Sequence, residues 1–230
     1  MNIQLIVNEK KELIKSKSGD EVKVVEEMPE RYRGHGALID FPFWYKGGCA
    51  GLPTIFIDKS VDKVHILHEL VHLEKFFVEK YPIVVSSSDF HYKIDVFKNI
   101  AEDYLAHKII FNVYGLNPIS PAFLLRNNVN DNRSDKQLAA DLTHYYFFSE
   151  FDKEYKKKLG PFMTNCRRQR YPAYSIAQMA IKCISEIDYK DKSSYEKGIK
   201  ELINVFEPND SYIYLEFFEK DGSVWKSFRV

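Results

Sequence analysis

The sequence predicts an α+β fold with a small mixed sheet early in the chain and two long helices after it. A mainly helical C-terminal half follows and ends in a β-hairpin. Three observations carry this expectation. Short β-branched and aromatic runs occur at 3–7, 21–26 and 54–58. Helically spaced apolar residues run through 61–79 and 92–114. Near the C-terminus, two alternating runs at 212–219 and 223–230 flank Asp221-Gly222, a hairpin turn signal.

Composition narrows the function classes. The chain has 230 residues, enough to bury a sizeable core. It is 45% hydrophobic and 29% charged, a globular profile. Lys+Arg and Asp+Glu are 33 each, so the net charge of zero points to neither a nucleic-acid nor a membrane partner. Cys49, Cys166 and Cys183 are widely spaced without a C-x-x-C, which favours a reducing compartment over a disulfide framework. The first residues lack a signal-peptide pattern and no apolar run reaches membrane-span length, so a soluble cytoplasmic protein is expected. Nothing indicates an oligomeric state.

In order, Ile3, Leu5 and Val7 alternate, predicting a strand over 3–7. A short helix fits 10–17. Ser18-Gly19-Asp20 is a turn signal before a second strand at 21–26. Residues 28–53 hold five of the ten glycines with Phe41, Phe43, Trp44 and Tyr45, and read as an irregular loop. A strand at 54–58 follows. Ser60 is a candidate N-cap for a helix over 61–79, which ends before Tyr81-Pro82. Residues 83–85 read as extended and 86–89 as a break. The second long helix, 92–114, stops at Gly115. Further helices are expected at 121–126, 134–155, 175–187 and 193–206.

The 61–79 helix carries His68-Glu69-Leu70-Val71-His72, an H-E-x-x-H string. Two helical histidines four residues apart lie on nearly one face, about 6 Å apart along the axis, so both imidazoles can reach one ion. Glu69 then points toward the metal's open side. The helix is apolar on almost every side, so it should be buried, and buried histidines need partners that a metal would supply.

A catalytic zinc takes three protein ligands and keeps one position open. The 92–114 helix offers Glu102 and Asp103. On a helical wheel Asp103 falls at the border of the apolar face, near Ile110 and His107. Glu102 falls on the opposite side, with solvent as the first expectation. The wheel leans to Asp103. Glu102 has the longer reach and stays as the alternative third ligand. His107, one turn after Asp103, is a candidate to hydrogen-bond a ligand from behind, as is His65, seven residues before His72.

Residues 54–114 resemble the core of zincin-type zinc metallopeptidases, in the compact subgroup with an acidic third ligand. There an edge strand precedes the H-E-x-x-H helix, and a second helix supplies the carboxylate. Asp103-Tyr104-Leu105-Ala106-His107 matches that helix's acidic-x-x-Ala-(Asp/Asn) pattern, with His107 at the last position and Asp where Glu is commonest.

The resemblance implies Zn²⁺ on His68, His72 and Asp103, with Glu69 as the catalytic base in hydrolysing a peptide or protein substrate. It implies that strand 54–58 is an edge able to take up an extended peptide. An oxyanion donor is expected among His144, Tyr145, Tyr146, Arg167, Arg168 and Arg170. Residues 1–115 would form a zincin-like metal-binding core. Residues 116–230 would be a helical region with the terminal hairpin, packed with the core as one domain. The alternative is a non-proteolytic regulatory or interaction protein built on the same metal-binding core.

Overall fold

The structure, a computed structural model, describes residues 2–19, 21–30, 37–40, 54–81, 83–86, 95–118, 132–206 and 212–215. These residues are mostly helical with a few short strands, an architecture compatible with α+β. Two compact units divide the chain. One comprises Met1–Ile83, Ala106–Ile119 and Tyr214–Phe228; the other comprises Val84–Leu105, Ser120–Ile213 and Arg229–Val230.

In the first unit, α1 (Ile3–Ser18) replaces the strand expected at 3–7. Asn2 caps it, its side chain accepting from Gln4 N at 3.0 Å. The buried residues Ile6, Val7, Lys10 and Ile14 follow a helical period, which overrides the short alternation. Gly19, left-handed at φ 81°, ends the helix, its N–H donating to the Lys15 carbonyl. Of the strand expected at 21–26, only β1 (Val24–Val25) forms. Within the expected loop 28–53, β2 (Ala37–Asp40) is a strand. Residues 31–36 and 41–53, including His35 and Cys49, lie outside the described residues.

β3 (Thr54–Ile57) is the centre of a mixed three-stranded sheet, not its edge. It pairs in parallel with β1 (Val24↔Ile55) and antiparallel with β2 (Leu38↔Phe56). Both hydrogen-bonding sides are taken, so β3 has no free side for an extended peptide. Ile55 and Ile57 alternate inward and are buried, and β3 packs against α2 (Lys63–Leu73).

Asp62, not Ser60, caps α2; Ser60 instead bonds Asp58 in the preceding turn. Ile66, Leu67, Leu70, Val71 and Leu73 are all buried, as a helix apolar on every side requires. The helix then widens into a π-helical segment, Glu74–Val78. It stops at left-handed Lys80 (φ 58°), where Lys75 lies 4.6 Å from the Tyr81 ring centroid. α1 packs on α2 and on this segment, and Lys10 pairs with Glu74 in the interface.

α3 spans Asp95–Tyr114. Left-handed Gly115 (φ 62°) ends it. β4 (Ile83–Ser86) forms a two-stranded sheet with a strand at Tyr212–Leu215, here β5. The other expected hairpin arm, 223–230, and the expected helix 121–126 lie outside the described residues.

The second unit is helical. The single helix expected at 134–155 is two: α4 (Asp135–Phe148), opened by a Ser134/Gln137 capping box, and α5 (Lys153–Gln169), capped by Asp152. The sequence reading places no helix between 155 and 175, although α5 runs on through Gly160-Pro161. Pro161 faces solvent inside the helix, while Tyr155, Phe162 and Cys166 bury the opposite stripe. α6 (Tyr171–Ser185) packs on α4, α5 and α7 (Lys192–Phe206). Arg170, at the α5–α6 joint, donates to Asp135 and to the Arg133 carbonyl.

Candidate metal centre

The His68 and His72 rings project from one face of α2 and are both buried. Their Nε2 atoms are 3.0 Å apart and their ring centroids 4.7 Å apart. Either one imidazole donates to the other, or both lone pairs face one cation. For nitrogen–zinc distances of about 2.0–2.1 Å, this separation subtends roughly 95° at the ion, a compressed tetrahedral angle. The separation is compatible with a shared metal.

His107 on α3 is also buried, its ring centroid 5.1 Å from that of His68. Asp103 precedes His107 by four residues on the same continuous helix, so the two share a face. One donor atom each from His68, His72 and Asp103 lie within 4.8 Å of one another. Among the described residues this is the group of histidine, cysteine and carboxylate side chains able to hold a metal. Two imidazoles and one carboxylate are a donor set that could hold a metal with a fourth position left over. Glu69, between the histidines, is half-buried.

Glu102 does not face solvent. It is buried, and its Oε1 accepts from the Tyr195 hydroxyl at 2.8 Å. The wheel misjudges this side because α3 is covered on more than one flank; Ile100, Ala101, Tyr104 and Ile110 are buried too, while Phe111 is exposed.

His65 turns to its own helix start, with Nδ1 3.1 Å from the Asp62 carbonyl oxygen. Burial lowers its pKa, partly offset by Asp62.

Of the expected oxyanion donors, Tyr145 is core, packed between Tyr155 and Phe162. Arg167 and Arg168 are exposed and Arg170 is the joint clamp. His144 on α4 is the candidate coupled to Asp103. Burial pushes its imidazole down to about 4, against the opposing pull of the Asp103 charge, so it is a neutral donor–acceptor at pH 7.

Sequence reasoning missed the tyrosines around Glu102. Tyr195, Ile199 and Leu202 share the buried face of α7, so a hidden Tyr hydroxyl seeking a partner was legible, but its partner was not. No helix among the described residues is long and apolar enough to cross a membrane. Comparison with protein-family models, curated proteins and solved structures found no match for this chain.

Proposed function

We propose that this protein is a zinc-dependent metallopeptidase of the zincin type, with His68, His72 and Asp103 as the metal ligands and Glu69 as the general base. The observation that carries the reading is the convergence of those three donor groups, two of them bracketing a glutamate on one helix. Zinc bound there would supply a Lewis acid and make a bound water acidic near neutral pH. Glu69 takes a proton from the attacking water and delivers it to the leaving amine nitrogen. Asp103 supplies the negative charge that two neutral imidazoles lack. His107 stands beside His68 and restricts its ring orientation. His144, which senses the Asp103 charge, stays the candidate to donate to a developing oxyanion.

The test pairs elemental analysis with digestion of an unfolded protein such as casein. One zinc per chain and chelator-sensitive cleavage support the proposal. Zinc at one per chain without cleavage of any peptide favours the non-proteolytic reading, a regulatory or interaction protein on a metal-binding core. No bound metal after zinc loading overturns both.

A further inference from the structure

We propose that Tyr195 and Tyr189 are positioning residues for the metal centre: their hydroxyls fix the rotation of α3 that makes Asp103, rather than Glu102, the carboxylate ligand. This rests on the reading that His68, His72 and Asp103 hold a metal. Successive residues on a helix point about 100° apart, so which carboxylate meets the site depends on how α3 is rotated about its axis. The structure holds that rotation at several points. Tyr195 donates to Glu102 Oε1 at 2.8 Å, with both side chains buried. Tyr189 donates to the Ala101 carbonyl oxygen at 3.1 Å. Tyr104 donates to Glu150 Oε2 at 2.8 Å.

Residues 101, 102 and 104 are therefore each tied to a partner in the helical unit, and Asp103 between them is the carboxylate grouped with His68 and His72. A close approach supports the arrangement. A Cβ at Gly198 of α7 would lie 2.3 Å from Ile187 Cγ1, so glycine is what lets the turn bearing Tyr189 lie against α7. Tyr195 removes Glu102 as a competitor by engaging its carboxylate. The C-terminal helices thus select the ligand without supplying one.

The experiment uses the full-length chain. Zinc affinity is measured by competition with a chromophoric chelator, and the visible spectrum is recorded with cobalt(II) at saturation. Wild type is compared with Tyr195→Phe, Tyr189→Phe, Glu102→Gln and Asp103→Ala. Tyr195→Phe should bind zinc about 10-fold more weakly, the lower end of effects seen for partners behind a ligand. Its cobalt bands should shift, a change of coordination that a mere loss of stability does not produce. Tyr189→Phe should move both readouts the same way, and it carries the test if Tyr195→Phe does not fold. Glu102→Gln keeps an acceptor oxygen for Tyr195 and should stay close to wild type. Wild-type affinity and spectrum in both Tyr→Phe variants, with zinc lost in Asp103→Ala, overturn the positioning role and leave the metal site standing. Loss of zinc in Glu102→Gln but not in Asp103→Ala makes Glu102 the ligand and overturns it as well. Wild type that binds no metal, or zinc retained in both carboxylate variants, removes the site and the positioning role together.

Discussion

His68 and His72 meet through their Nε2 atoms at 3.0 Å on the buried face of one helix. Two imidazoles this close can share one hydrogen bond or turn both lone pairs to a cation. Zinc should therefore bind the folded chain far better than the unfolded one. At zinc 100-fold above its dissociation constant, a site of this kind adds about 2.7 kcal/mol of stability. Thermal melts with and without zinc should show a rise in Tm for wild type and none for His72→Ala. Equal shifts in both would place the zinc elsewhere.

Glu69 sits between the two proposed ligand histidines without belonging to the converging donor set. Glu69→Gln should keep one zinc per chain and lose at least about 10²-fold in kcat, the usual worth of a positioned base. Metal analysis beside peptide-cleavage kinetics checks it. Full activity in this variant excludes the proposed mechanism.

Lys10 and Glu74 form an ion pair between α1 and the π-helical segment, with side chains 9% and 17% exposed. Lys10→Ala leaves Glu74 with a poorly hydrated charge and should cost about 3 kcal/mol in urea unfolding. Burial alone would lower the Lys10 pKa; Glu74, and behind it Tyr114, outweigh that and raise it above 10.5. The folded value thus exceeds the unfolded one. The pair's contribution is complete below pH 10.5 and fades as pH rises through the folded value. The gap in stability between wild type and Lys10→Met should narrow over that range.

Cys166 is buried in α5 with Sγ 3.7 Å from the Arg170 carbonyl oxygen, and burial pushes its thiol up to about 11. In the native protein at pH 8 it should resist iodoacetamide and react once urea is added, as mass spectrometry would read. The raised value also fixes a sign. Its contribution to stability is complete below pH 9 and is lost between pH 9 and about 11.

Gly198 sits within α7, where alanine would ordinarily gain about 1 kcal/mol of helix propensity. The clash with Ile187 should exceed that gain, since overpacking costs about 1–3 kcal/mol. Gly198→Ala is expected to lower stability by about 1 kcal/mol net, measured by chemical denaturation. A more stable variant would show that Ile187 can move aside freely.

By itself, the sequence determined what depends on short-range spacing. The four-residue interval from His68 to His72, the apolar surround of α2, the stop of α3 at Gly115 and the span of α7 were all legible, because helical period and caps are local. The same local reading misassigned 3–7, where three alternating residues looked like a strand. The longer helical stripe through Ile14 and the Asn2 cap outweigh that short run. It also ended one helix at 155 and left α5 unread, although Pro161 is tolerated there on a solvent-facing side. Tertiary structure decided the rest. That β3 is central rather than an edge depends on pairing with strands far apart in the chain, which no local pattern encodes. The surroundings of Asp103 and Glu102 depend on α3 being covered on several flanks. A helical wheel assumes one buried face, and it gave Glu102 to solvent; Tyr195, 93 residues further along, takes it into the interior instead.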